Sequence, residues 1–320
     1  MAVPVYFDPM VLKHATGPGH PETATRVKAC AEALSAAGFQ LTAPPSPART
    51  RAAIEAVHSP AYVRRFEEKC AVGAAAATGR PISLFDSPDN PISSESFGAA
   101  ERAVGLVLAA TDRVASGADK AVFVAVRPPG HHALAARAMG FCFFNTIAIA
   151  ARDLVLTHGL SRVLVVDFDV HHGNGTQEIF WADGEVAYLS VHRFPFYPGT
   201  GAADEEGTGR GRGATVNVPM AEGSGDRAYV GGLVASLERL AERFRPEMIL
   251  VSAGFDAHEA DPLGGMRVTT DGYGRMTREI RDVASVFAKG RIVSLLEGGY
   301  DPQALGESAV LHASLLEAPD

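Results

Sequence analysis

Four short stretches concentrate the residues that can do chemistry. RPPGHH (127–132) ends in paired imidazoles, and DFDVHHGN (167–174) alternates carboxylates with imidazoles. GFDAH (254–258) adds a further carboxylate, and EGGY (297–300) ends in a phenol. Asp169 and His171 stand two residues apart, so in an extended segment both side chains point the same way. With Asp256 they offer two carboxylates and one imidazole. Three protein ligands with an open fourth position is the pattern of a catalytic zinc site, whereas structural sites are closed and rich in cysteine. Asp167 and His172 then point elsewhere, and Asp167 suits the task of holding the far nitrogen of a functional histidine. Taken singly, each stretch has an ordinary reading. An Asp-x-His is usually a hydrogen-bonded loop turn, paired histidines after prolines can be a surface pair, and Gly-Gly-Tyr is usually a turn with a packed ring. His14, His20, His58, His158, His258 and His312 are read as structural or surface residues.

All four stretches follow apolar, β-branched runs, and their joint occurrence there is hard to explain as packing. Strands are expected at residues 3–7, 121–126, 162–167, 186–192, 214–219, 247–253 and 291–296. Several are apolar almost throughout, as strands covered on both faces are. Helical patterns fill the intervals at 22–37, 95–115, 146–158, 226–243 and 269–287. This alternation predicts an α/β fold with a mostly parallel central sheet and helices on both faces. In such sheets ligands bind beyond the carboxyl ends of the strands, which is where all four stretches lie. Neither the loop at 43–47 nor the glycine-rich loop at 199–213 separates two patterns that could stand alone, so one domain over residues 1–320 is expected. The second loop carries no phosphate-loop lysine and is not read as a nucleotide cradle.

Composition narrows the partners. A net charge of -8 with no Lys/Arg-rich run argues against direct nucleic-acid binding. The three cysteines, Cys30, Cys70 and Cys142, form no CxxC pair, which disfavours a disulfide framework or a cysteine zinc knot. No basic leader and no apolar run of about 18 residues is present, so no secretory signal and no membrane span are expected. A reduced, cytoplasmic protein is the expectation, with its oligomeric state open.

At this point the chain resembles the arginase/deacetylase superfamily, and within it the zinc-dependent histone deacetylases and their bacterial amidohydrolase relatives. The matching stretches are GPGHPETATRV (17–27), RPPGHHA (127–133), GFCFFN (140–145), VDFDVHHGNGTQ (166–177), YPGTG (197–201), SAGFDAHEADPLGG (252–265) and EGGYD (297–301). The resemblance implies one catalytic Zn2+ on Asp169, His171 and Asp256. His132 is similar to the general base, His131 paired with Asp167 to its electrostatic partner, and Tyr300 to the donor that holds the carbonyl oxygen. Phe141 and Tyr197 would wall a narrow channel for a lysine stem, with Gly140 and Leu263 also along it. Tyr197 replaces the commoner Phe. Asp89 is placed like a rim aspartate that grips substrate backbone. Asn174 stands where class I enzymes carry Asp beside the base, and Asn is the class II choice. A neutral partner raises the imidazole pKa less than a carboxylate would. The resemblance also implies a structural K+ near Asp167, Asp169, His171 and Ser190.

The expected reaction is removal of an acetyl or other acyl group from an acyl-lysine protein or peptide, or from a small acylated amine. An acetylpolyamine amidohydrolase is the first alternative. It needs acidic groups at the mouth to attract the second amine, and an apolar Leu263 stands where the related polyamine deacetylase carries Glu. The Asp204-Glu205-Glu206 cluster is read as a solvated loop. A binuclear manganese ureohydrolase needs more bridging aspartates than these stretches supply. A catalytically silent acyl-lysine reader would be expected to have lost a ligand or Tyr300. Ferrous iron or cobalt could occupy an Asp2His site in place of zinc.

Overall fold

The computed structural model describes residues 3–72 and 83–316. Its strands are β1 (Val5–Tyr6), β2 (Leu41–Thr42), β3 (Ser83–Phe85), β4 (Ser87–Ile92), β5 (Ala121–Val124), β6 (Val163–Asp167), β7 (Val186–Arg193), β8 (Thr215–Met220), β9 (Met248–Ala253) and β10 (Ile292–Leu296). Eight of them form one sheet in the order β2-β1-β5-β10-β9-β6-β7-β8, and every neighbouring pair is parallel. The four central strands, β5, β10, β9 and β6, are buried at every residue. Their unbroken Val/Ile/Leu runs have this cause, since a strand covered on both faces has no polar side to alternate.

The helices are α1 (Ala24–Ala36), α2 (Thr50–Glu55), α3 (Pro60–Val72), α4 (Ser96–Ala115), α5 (Thr146–Leu156), α6 (Asn174–Phe180), α7 (Asp226–Phe244), α8 (Thr270–Phe287) and α9 (Pro302–Leu315). One layer runs α1–α9–α8–α7, and α4 with α5 and α2 packs in the other. The five helices expected from sequence periodicity end within two residues of their structural limits. The short elements escape a periodicity reading: β2 has two residues, and α6 opens inside the polar 167–174 stretch between Gly173 and Gly175. The hairpin β3–β4 is a small separate sheet whose pairing is irregular and whose second strand carries Pro88 and Pro91. Proline normally demotes a strand because it removes a ladder donor. Helix α9 did carry a local start signal. Asp301 caps it by accepting from Ala304 N at 2.8 Å, with Pro302 in the first turn.

The strand order matters for function. It sets β5, β10, β9 and β6 side by side, so four stretches far apart in sequence leave the sheet at adjacent points along one edge.

Candidate active site

The carboxylates Asp169 and Asp256 follow β6 and β9 and are buried. His171 Nδ1 lies 3.1 Å from Asp169 Oδ1 and 3.1 Å from Asp256 Oδ2. One donor atom from each residue falls within 4.8 Å of the other two. Main-chain N–H groups aim both carboxylates: Val170 donates to Asp256 Oδ1 at 2.8 Å, and Gly298 donates to Asp169 Oδ2 at 2.8 Å. A Cβ at Gly254 or Gly298 would overlap these carboxyl groups, so only glycine lets the backbone approach this closely. Burial and the charge of Asp169 push the Asp256 carboxyl above the usual carboxylate range. Burial also opposes ionisation of Asp169, but His131 and His171 hold it well below the usual range. A divalent cation relieves such crowding, and an Asp2His donor set beside an open cavity suits zinc. A second grouping, Asp112 with Asp153 and His158, is already engaged by Arg49, which pairs with both carboxylates and reaches Asp153 Oδ2 through Nη2 at 2.7 Å.

The paired imidazoles sit in contrasting environments. His131 Nδ1 is 3.0 Å from Asp167 Oδ2, which also accepts from the Tyr188 hydroxyl at 3.0 Å. Burial alone would lower the His131 pKa, but the charges of Asp169 and Asp167 overcome it and raise the group to about 10. His132 Nδ1 pairs with Asn174 Oδ1 at 2.8 Å, and its ring lies 4.0 Å from that of His131. Burial first, then the charges of His131 and His171, hold it well below the ordinary histidine value. One imidazole is thus kept charged and its neighbour neutral. His172 turns away, with Nδ1 2.7 Å from Thr200 Oγ1 and Nε2 3.1 Å from Gln177 Oε1.

These groups face a cavity of about 110 Å³. Its floor holds His131, His132, Asp169, His171 and Tyr300, with Gly298 and Pro129 beside them. Phe141, Gly140, Tyr197, Leu263 and Asp89 line the rest, and exposures of 38% for Tyr197 and 37% for Leu263 mark the outer end. Asp89 Oδ2 accepts from Gly140 N at 3.1 Å and from the Tyr197 hydroxyl at 3.2 Å. Ser190 is buried opposite Asp167 on the paired strand, with Oγ 2.9 Å from His192 Nδ1. In the acidic loop Asp204 and Glu206 are exposed as expected, and Glu205 departs from that reading. Glu205 is not a freely solvated residue but accepts from Gly201 N at 3.0 Å and Gln177 Nε2 at 2.6 Å, bracing the loop that carries Tyr197. Glu206 pairs with Arg212 at 3.1 Å, and no member of the cluster lines the cavity.

Several residues around the site went unassigned in the sequence. Tyr300 N donates to Asp261 Oδ2 at 2.7 Å, and the Arg26 guanidinium lies 5.2 Å from the Tyr300 ring centroid. Arg26 Nε donates to Gly299 O at 2.8 Å, while Glu22 accepts from Arg127 Nε at 2.7 Å and faces Arg26 at 3.4 Å. Glu297 Oε2 accepts from Gly130 N at 2.6 Å, tying the tyrosine loop to the histidine loop. The one local signal was the Glu22/Arg26 spacing of four, with Glu22 just ahead of α1 and Arg26 in its first turn. His14, His58 and His312 are buried and hydrogen-bonded away from the cavity. His20, by contrast, lies edge-on to Phe141 at 4.7 Å.

The histone deacetylase domain matches residues 20–316, a span that holds every residue described around the cavity. The chain belongs to the histone deacetylase family. Members similar to it include the chloroplastic histone deacetylase 10 of Oryza sativa subsp. japonica, 48% identical over 58% of this chain and 42% of that one. The histone deacetylase-like amidohydrolase of Pseudomonas aeruginosa is 37% identical over 92% of this chain and 80% of that one. Among solved structures, the acetylpolyamine aminohydrolase from Burkholderia pseudomallei superposes with a TM-score of 0.84 at 33% identity, covering 97% of each chain. The chain spans less than half the length of the rice deacetylase. Within the histone deacetylase family this chain is class II-like. No helix among the described residues is long and apolar enough to cross a membrane.

Proposed function

We propose that this chain is a zinc-dependent amidohydrolase, working as a single deacetylase domain in the cytoplasm, that removes acetyl or other acyl groups from acylated lysine side chains. One observation carries the reading: Asp169 and His171 of an Asp2His cluster, a neutral buried imidazole and a half-buried tyrosine face one narrow cavity whose outer part is aromatic and apolar. Asp169, His171 and Asp256 would hold the ion, which when bound supplies Lewis acidity and a water acidified to near neutrality. Asn174 Oδ1 accepts a hydrogen bond from the Nδ1–H of His132, which leaves Nε2 as the free base toward the cavity. His132 accepts a proton from the attacking water and returns it to the departing amine. His131, charged and fixed by Asp167, stabilises negative charge as it develops. Tyr300 donates its hydroxyl proton in a hydrogen bond to the carbonyl oxygen, where one well-placed donor contributes about 3 kcal/mol. Phe141 and Tyr197 exclude water along the alkyl stem. A structural K+ near Asp167, Asp169, His171 and Ser190 completes the reading, supported by the pairing of Asp167 with Ser190 across β6 and β7.

The likeness to an acetylpolyamine aminohydrolase favours a second reading, a small cationic substrate on the same chemistry. Leu263 at the cavity mouth and an acidic loop that lies off it weigh toward acyl-lysine. A silent binding protein has least support, because every reacting group is present. The deciding experiment compares hydrolysis of an acetyl-lysine peptide with that of acetylspermidine by zinc-loaded protein. Peptide preference supports the lysine reading, acetylspermidine preference moves the assignment to polyamines, and turnover of neither points to another acyl group or a silent binder. Parallel loading with cobalt and ferrous iron identifies the preferred metal.

A further inference from the structure

The two aromatic walls of the cavity stand on different loops, Phe141 after β5 and Tyr197 after β7, yet both are held from two successive residues of β4. Asn90, fully buried, accepts from Phe141 N at 3.1 Å through Oδ1 and donates Nδ2 to Cys142 O at 3.0 Å. Its amide therefore replaces a strand partner for the backbone on either side of Phe141, whose φ of 68° is left-handed and unfavourable for an aromatic residue. Next to it, Asp89 accepts from Gly140 N and from the Tyr197 hydroxyl, and its other oxygen accepts from Ser87 Oγ. A phenylalanine at position 197 could not make that bond. The Asp2His cluster and His131 are oriented independently of these contacts, by Val170 N, Gly298 N and Asp167, whereas Gly140, which Asp89 holds, packs against the His132 ring.

We infer that Asp89 and Asn90 form a spacer that sets the width of the channel, with the Tyr197 hydroxyl as the specificity-determining atom that ties the second wall to the first. This rests on the reading of the cavity as a channel for an acylated amine stem. Free walls would separate and admit thicker stems; tied walls select a thin, unbranched one. Tyr197 and Asn90 are thus positioning residues for substrate selection.

The test uses zinc-loaded wild-type protein, Tyr197→Phe and Asn90→Ala. Fluorescein-labelled peptides carry either acetyl-lysine or the thicker acetylated 4-aminomethyl-phenylalanine. Fluorescence polarisation gives Kd in the Tyr300→Phe background, where turnover is slowed, and steady-state assays give kcat and KM with Tyr300 intact. The preference for the linear stem is expected to shrink by about three- to tenfold in Tyr197→Phe, the effect of one lost hydrogen bond, mainly through Kd and KM. Asn90→Ala is expected to relax selectivity in the same direction; if it does not fold, Tyr197→Phe decides alone. An unchanged linear-to-aryl ratio in folded Tyr197→Phe overturns the spacer. Selective binding of the linear peptide without turnover by wild type would count against the hydrolase reading and leave the binding ratios to judge the spacer.

Discussion

At the scale of single residues, the site works through contrasts that burial imposes on identical side chains. His131 and His132 are neighbours, yet two carboxylates hold the first charged, while burial and then the charges of His131 and His171 keep the second neutral. Tyr300 lies half-buried beside Arg26, and desolvation together with the charge of Asp256 pushes its phenol well above the ordinary value, so its hydroxyl stays protonated and able to donate. Tyr300→Phe is expected to lower kcat at least about 100-fold with little change in KM, measured on the acetyl-lysine peptide. Near-normal turnover would remove Tyr300 from the reaction. Gly140 has a φ of 58°, and a Cβ there would strike the His132 ring. Gly140→Ala is therefore expected to displace the His132 imidazole and reduce kcat/KM on the order of 100-fold. An active Gly140→Ala enzyme would mean that the imidazole tolerates the shift.

Elements act here mainly as holders of loops. Helix α1 does this through Glu22, just ahead of it, and Arg26 in its first turns; with Arg127 they make a buried group of two positive charges and one negative, closing the early loop against the tyrosine and histidine loops. Burial opposes ionisation of Glu22, but Arg127 and Arg26 keep its pKa below the usual value. Glu22→Gln retains the shape and leaves both guanidinium groups without a counter-charge. It is expected to destabilise the fold by about 3–5 kcal/mol, read from the urea midpoint by the fluorescence of Trp181. A wild-type midpoint would show that backbone acceptors alone satisfy the two arginines. Five helices were legible from their apolar periodicity, while α3 and α9, of 13 and 14 residues, lay outside that reading. Helix α6 and the β3–β4 hairpin were not legible either, because glycine and proline interrupt both and their positions depend on the loops they serve.

For the molecule as a whole, buried neutral histidines set the response to acid. Burial, reinforced by Arg127, lowers His14 to about 3; burial lowers His58 to about 4 and His312 to about 3. The unfolded chain binds protons at these positions below about pH 6.5, and the folded chain does not until about pH 4. Their contribution is therefore fully present above the unfolded pKa and is lost as pH falls through that window. Each adds about 1.4 kcal/mol per pH unit to the slope. Urea midpoints of zinc-loaded protein at pH 7.5, 6 and 5 measure it. In His312→Gln, which can still pair with Thr277 and Ser294, the slope is expected to be shallower by about that amount. Equal slopes would mean that His312 is protonated in the folded state.

Local sequence was enough for the alternation of strands and helices, because hydrophobic runs and helical periodicity are properties of neighbouring residues. It was also enough to mark Asp169 with His171, whose spacing of two is a local geometry, and to place the four polar stretches at strand ends. Only the tertiary structure decided that β5, β10, β9 and β6 lie adjacent, which brings residues near 130, 170, 256 and 300 to one cavity. It alone revealed the work of Asn90, Arg26, Glu22 and Glu297, and the bond from Tyr197 to Asp89. These interactions span tens to hundreds of residues and depend on side-chain reach in a buried setting. Such contacts leave no periodic trace in the chain, because their partners become neighbours only after the sheet has assembled.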